Sequence, residues 1–210
     1  MSRRGVVLAL AAGALALAVL HVLLVTPVHG FMPSDTPGSL AHARGNAGQA
    51  GTTSPGPSSF YHPGWSFLVA PLYLVFDLPR DIQVGALVVN GVLSVAMLPA
   101  AYLLARRAFA LPVRPALAAA AIAATYPAVI LLAGYEWGEA LYQLLFVAFV
   151  LAVAVLVSRR SLVPAIAVGA LAPMLDANHP RGLGVVAVAG VARVCLARRH
   201  GVGADGLSPR

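Results

Sequence analysis

Lysine is absent from this sequence, cysteine occurs once, and charged residues make up only 10% of the chain. Soluble domains carry roughly 25% charged residues, so this composition excludes an ordinary water-soluble globule. The lone Cys195 excludes an intrachain disulfide. Because it lies in an apolar stretch, we interpret it as a membrane-buried side chain rather than a reactive thiol. Hydrophobic residues make up 60% of the 210 positions, which predicts a membrane protein.

The sequence also lacks the motifs of the common soluble enzymes. It contains no Walker-type phosphate loop, no Gly-x-Ser-x-Gly elbow and no His-Glu-x-x-His metal site. We therefore expect neither a bound metal nor a cofactor.

The basic residues are all arginine, and most occur as short pairs between apolar stretches. The chain has 14 of them against 7 acidic residues. The pairs are Arg3-Arg4, Arg106-Arg107, Arg159-Arg160 and Arg198-Arg199. This spacing is typical of the loops of a membrane protein, whereas a nucleic-acid interface gathers its cations on one face. We predict the lipid bilayer as a partner and no nucleic acid.

Apolar runs predict a membrane domain over residues 1–200. The first run, residues 5–25, makes a helix about 30 Å long, enough to cross a bilayer. It exceeds the roughly 7–15 apolar residues of a signal peptide, which favours an uncleaved anchor over a cleaved one. Pro127 is expected to kink the third crossing. The six predicted crossings are residues 5–25, 82–105, 116–135, 140–158, 162–175 and 183–197.

The segment between the first two crossings, residues 26–81, is predicted to form one long outer loop. Residues 27–59 are polar and rich in Gly, Pro and Ser, which indicates an exposed, mobile stretch. Residues 60–76 are apolar but broken by prolines and carry several aromatics, which favours an interfacial or re-entrant helix over a crossing. The tail, residues 201–210, is predicted to be disordered.

The distribution of arginine predicts how the chain is oriented in the membrane. With the N-terminus in the cytoplasm, only Arg44, Arg80 and Arg181 fall on the outer side, and the remaining loop arginines fall inside, as the positive-inside rule requires. If residues 60–76 crossed the membrane, every later arginine pair would lie outside. The predicted fold is therefore all-α: a polytopic bundle of about six transmembrane helices with an extracytoplasmic first loop that contains an interfacial helix.

Ionisable side chains at the outer helix ends are the candidates for function, because such residues are costly near a bilayer and often functional. For four of them, Asp77, Arg80, Asp81 and Glu136, a solvated loop end is the favoured interpretation. The full set is Asp35, Arg44, His62, Asp77, Arg80, Asp81, Glu136, Glu139, Asp176, His179 and Arg181.

Six short motifs, taken in order, resemble the N-terminal half of integral-membrane glycosyltransferases of the GT-C type. These enzymes include the protein mannosyltransferases and the aminoarabinose transferase of lipid A. The motifs lie within residues 5–200, and only their order and spacing together are specific. They are Ser34-Asp35, Ala43-Arg44, His62-Pro63-Gly64-Trp65, Ala70-Pro71-Leu72-Tyr73, Gly138-Glu139-Ala140-Leu141 and Pro180-Arg181-Gly182-Leu183.

The resemblance implies transfer of a sugar from a polyprenyl-phosphate donor to an acceptor on the extracytoplasmic side of the bacterial plasma membrane. It implies that Asp35 is the catalytic base that takes the proton of the acceptor hydroxyl. Arginine suits the leaving phosphate, because its planar donors match phosphate oxygens. Glu139 matches a carboxylate of the family, although it could equally be a helix-dipole partner. The implied substrate-binding residues are Arg44, His62, Glu139, His179 and Arg181.

The sequence departs from the family pattern in two respects, and these departures leave alternative functions open. Residues 37–39, Pro-Gly-Ser, stand where the family begins a short helix, and they are expected to disfavour one. The chain also corresponds to about half of such an enzyme, which predicts a truncated or half-length form. The alternative function is a non-catalytic membrane subunit that binds a lipid phosphate and pairs with a second membrane subunit. A small transporter is disfavoured, because the charges gather at one face and no repeat is evident.

Overall fold

The computed structural model describes residues 1–24, 35–49, 63–135, 137–159 and 161–179, together with the single positions 182, 184, 185 and 190. In these ranges the regular structure is helical, without strands. The helices are α1 Arg3–Leu24, α2 Asp35–Asn46, α3 Pro63–Val69, α4 Leu72–Val75, α5 Pro79–Arg107, α6 Val113–Ala124, α7 Pro127–Ala133, α8 Glu139–Arg159 and α9 Leu162–Asn178.

Three of the described helices, α1, α5 and α8, are long and apolar enough to cross a membrane. α6 and α7 form a fourth candidate if they are counted as one span, which bends by 47°. The bend comes immediately before Pro127, where a kink was predicted from the proline. α9 has 17 residues and belongs with the shorter apolar helices. The predicted crossing at residues 183–197 lies outside the described residues, apart from three single positions.

α5 is the central helix, since α1, α4, α6, α7 and α8 all pack against it. Its contact with α6 is built from small side chains: Ala101 faces a buried pair, Ala120 and Ala124. α1 approaches α5 through Gly13, where a Cβ atom would lie 2.9 Å from Leu98 Cδ2. Small residues let helix backbones approach closely, which is how helices associate where no hydrophobic effect drives them together.

A second cluster joins α8 to α9. Phe149 of α8 packs against Val168, Ala172 and Leu175 of α9, and Leu175 is fully buried. The opposite faces of the long helices carry exposed apolar side chains, with Val22 exposed by 79%. An apolar exterior of this kind suits a lipid surrounding rather than water.

The prediction of a loop across residues 27–59 is wrong for part of that stretch. The backbone forms α2 from Asp35 to Asn46, so the expectation that residues 37–39 disfavour a helix is also wrong. The physical reason is the position of Pro37 in the first turn. A proline there gives up no helical hydrogen bond, because the first N–H groups of a helix have no acceptor within it.

The apolar segment after residue 62 forms two short helices rather than a span. α3 and α4 are separated by a turn at Ala70-Pro71, and together they are too short to count among the spanning helices. Trp65 and Val69 of α3 pack against Ala43 of α2 and Ala86 of α5. This contact holds α2 and α3 against the bundle, at the end where α8 begins and α9 finishes.

Candidate functional site

Three segments that are distant in sequence meet at one end of the bundle: the start of α3, the turn before α8 and the end of α9. Two glycines allow the approach. A Cβ atom on Gly64 would lie 2.9 Å from the carbonyl oxygen of Ala177, and one on Gly138 would lie 2.8 Å from Asn178 Oδ1. Real Cβ atoms do not approach other atoms so closely, so larger residues at these two positions would separate the segments.

Two carboxamide side chains hold the turn before α8. Asn178 Nδ2 donates a hydrogen bond of 2.7 Å to the carbonyl oxygen of Gly138. Asn90, fully buried on α5, donates to the carbonyl oxygens of Tyr135 and Trp137, the latter at 3.1 Å. The carbonyls that follow a helix lack partners within it, and burial without a partner is costly. Asn90 supplies such partners to the turn after α7. Asn178 adds a second donor to the Gly138 carbonyl, which also accepts the N–H of Tyr142 at the start of α8.

The same convergence brings two of the predicted site residues together. His179 Nε2 lies 3.6 Å from Glu139 Oε1, and both side chains keep about a fifth to a quarter of their surface exposed, 26% and 20% respectively. At this distance the contact is an ion pair when the imidazole is protonated, rather than a close hydrogen bond. The Tyr142 ring packs against the imidazole at an angle of 55°, with 5.5 Å between ring centroids. A carboxylate beside an imidazole can accept, hold and return a proton.

Glu139 is also the first residue of α8. A negative charge at this position interacts favourably with the positive end of the helix dipole. Both interpretations of Glu139 made from the sequence, a site carboxylate and a dipole partner, are therefore compatible with its position. Its contact with His179 is an additional feature that a plain dipole partner does not require.

A second group of polar side chains, Arg44, Gln49 and Tyr73, lies where the end of α2 approaches α4. Arg44 is half-buried, and its Nε atom is buried with no hydrogen-bond partner in the described part of the chain. Burial raises the pKa of the Tyr73 hydroxyl above its ordinary value, and the nearby Arg44 guanidinium opposes that rise. Gln49 ties the two helices together by donating a 2.6 Å hydrogen bond to the Tyr73 carbonyl oxygen. A half-buried guanidinium with an unpaired Nε atom, such as that of Arg44, is suited to bind an anion such as phosphate.

Two more buried polar atoms near Gly138 are unpaired within the described residues. They are the indole N–H of Trp65 and Oδ1 of Asn178. Buried polar groups are nearly always satisfied by protein, water or a ligand. An unsatisfied donor and an unsatisfied acceptor are therefore buried beside the Glu139–His179 pair.

The remaining predicted residues are placed less fully. Asp35 opens α2, but its side chain lies outside the described residues, as do His62 and Arg181. Asp77, Arg80 and Asp81 are exposed, as expected for solvated loop ends. Across the described ranges, no three His, Cys, Asp or Glu side chains lie together in a way that could hold a metal ion.

The sequence analysis missed Asn90, Asn178 and Tyr142. For Asn90 a signal existed, because an amide inside a long uncharged helix is costly unless it has partners. For Asn178 and Tyr142 there was none, since their roles depend on which helix ends meet.

No protein-family model, no curated protein and no solved structure matches this chain. The resemblance to the GT-C enzymes therefore stays a prediction based on the order of its motifs.

The close approach at Gly138 yields a stability prediction. Gly138→Ala places a methyl group against Asn178 and Trp65, and we expect overpacking to cost about 1–3 kcal/mol. The apparent unfolding temperature of the detergent-solubilised protein should fall accordingly. Gly169→Ala is the matched control, because a Cβ atom there meets nothing within 4 Å. Equal unfolding temperatures for the two variants would contradict the placement of α9 against this turn.

Proposed function

We propose that the chain is a membrane-embedded, glycosyltransferase-like protein, related in function to the GT-C enzymes. It would move a sugar from a polyprenyl-phosphate donor to a hydroxyl acceptor on the extracytoplasmic side. The observation that carries the proposal is the convergence of motifs. Gly64 and Trp65 belong to one motif of the resemblance, and Gly138 and Glu139 belong to another. Both contact residues 177–179, which directly precede the motif that begins at Pro180.

The proposal includes a six-span topology in the bacterial plasma membrane, with the N-terminus in the cytoplasm. α9 would be the fifth crossing and residues 183–197 the sixth. The Glu139–His179 pair and Arg44 would then lie on the outer side, where α2, α3 and α4 cover the bundle end. The distribution of arginine supports this orientation. The pairs at 106–107 and 159–160 lie at the C-terminal ends of α5 and α8, whereas Glu139 is at the N-terminal end of α8.

In the proposed reaction, the acceptor hydroxyl gives its proton to a carboxylate while its oxygen bonds to the anomeric carbon of the sugar. The bond between that carbon and the phosphate oxygen breaks, and its electron pair leaves with polyprenyl phosphate. The resemblance assigns the base to Asp35. Arg44 would stabilise the charge that develops on the phosphate, because a guanidinium in a partly desolvated place interacts strongly with an oxyanion.

The Glu139–His179 pair would bind the sugar. Both side chains keep part of their surface exposed, and the Glu139 carboxylate presents acceptors. Sugar hydroxyls both donate and accept hydrogen bonds, so a cluster of mixed polar groups suits them better than a cluster of one charge. His62 and Arg181 belong to the same motifs and are proposed to complete the donor site.

The orientation is tested by thiol accessibility. In a Cys195→Ala background, single cysteines are placed at Gly45 in α2 and at Phe109 after α5, both exposed positions. We expect a membrane-impermeant maleimide to label position 45 in intact spheroplasts and position 109 only after lysis. Labelling of both from the same side would mean that α5 does not cross the membrane.

The activity is tested in phosphatidylcholine vesicles with a panel of radiolabelled polyprenyl-phosphate hexoses and pentoses. A general base typically contributes about 10²–10⁴-fold to rate, so Asp35→Asn should lose activity in that range. Arg44→Gln should also transfer poorly, whereas Asp81→Asn, an exposed carboxylate, is the matched control and should match wild type.

Undiminished transfer by Asp35→Asn would remove that residue from the mechanism. Absence of transfer by wild type, combined with saturable binding of polyprenyl phosphate, would favour the alternative of a non-catalytic subunit acting with a second membrane protein. Absence of both would contradict the proposal altogether.

A further inference from the structure

A groove of about 440 Å³ lies between α1 and α5, and neither Glu139 nor His179 lines it. Its walls are α1 around His21 and α5 from Val84 to Val95. The volume is within the range of about 300–1,000 Å³ that ligand pockets occupy. Val88 and Val92 are 60% and 63% exposed, so the groove opens to the apolar exterior of the bundle.

His21 is the polar exception in this wall, and it is only 5% exposed. Its Nδ1 atom lies 2.9 Å from the carbonyl oxygen of Leu17. A carbonyl oxygen only accepts hydrogen bonds, so Nδ1 is the donor. A neutral imidazole that donates through Nδ1 has only an acceptor left at Nε2. That Nε2 atom is buried and has no partner within the described residues.

The chemistry of the groove restricts its occupant. A water molecule could donate to Nε2, but a buried water needs two to four polar partners, and the other lining residues are apolar. An anionic group has no proton to donate, and a charge in an apolar groove is costly. An apolar chain that carries a single neutral donor fits both the walls and the lone acceptor, and a lipid hydroxyl is the simplest such donor.

We propose that the groove between α1 and α5 binds a single-chain lipid alcohol, whose hydroxyl donates to His21 Nε2 and whose chain lies along α5. The groove extends over roughly 16 Å of that helix at 1.5 Å per residue. Its open side allows a chain to enter from the bilayer. This site does not depend on the proposed transferase activity, and its test measures binding alone.

Gly91 provides a way to fill the groove without disturbing the fold. It lines the groove, and a Cβ atom there meets nothing within 4 Å. Gly91→Leu should therefore occupy the space of the ligand chain. Gly169→Leu is the matched control, since Gly169 is equally open but lies on α9.

The experiment uses the full chain in phosphatidylcholine vesicles, because phosphatidylcholine carries no hydrogen-bond donor. The probes are a long-chain primary alcohol with a photoactivated diazirine in its chain and the methyl ether of the same molecule. Cross-linked peptides are identified by mass spectrometry. We expect the alcohol to label residues 18–22 and 84–95 at least about fivefold more than the ether.

The variants separate the hydroxyl from the chain. His21→Phe should remove the preference for the alcohol, and Gly91→Leu should reduce labelling by both probes. Gly169→Leu should behave as wild type. Equal labelling of wild type by alcohol and ether would overturn the proposal, because the groove would then be a general lipid contact. Absence of labelling by either probe would also overturn it, since something else would cover the groove.

Discussion

The hydrogen bond from Asn178 to the Gly138 carbonyl fixes the arrangement on which the polar end of this protein depends. It joins the end of α9 to the start of α8, and Asn90 secures the same turn from α5. Amide donors from two other helices thus hold the carbonyls of this turn in place. The glycines at 64 and 138 then allow α3 to close over the junction.

This arrangement explains why the polar groups lie together. Each helix of the bundle is almost entirely apolar, and small residues on α5 and α6 bring their backbones close. The ionisable side chains are left to the helix ends, where Glu139 and His179 meet. The groove beside His21 is a different case, because a single unpaired acceptor lies within an otherwise apolar wall.

Much of the fold was predictable because its signals are local. Uncharged runs ending at arginine pairs predict α5 and α8, and Pro127 marks the break between α6 and α7. α2 was not predicted, because Pro37 and Gly38 argue against a helix interior, and no local signal places Pro37 in the first turn. Site residues were predicted by type, and two of them, Glu139 and His179, are in contact. Because that contact joins the start of α8 to the end of α9, composition and spacing could not predict it.

The central claim is that α9 ends against the start of α8. Its most direct measurement is chemical cross-linking of Glu139→Cys with His179→Cys in a Cys195→Ala background, using a short thiol-to-thiol reagent. A protease site at residue 160 cuts the connection between the two helices. We predict that the fragments stay covalently joined, whereas a control that pairs His179→Cys with Phe109→Cys, beyond the other end of α5, separates. Separation of the 139–179 pair after complete thiol modification would contradict the account.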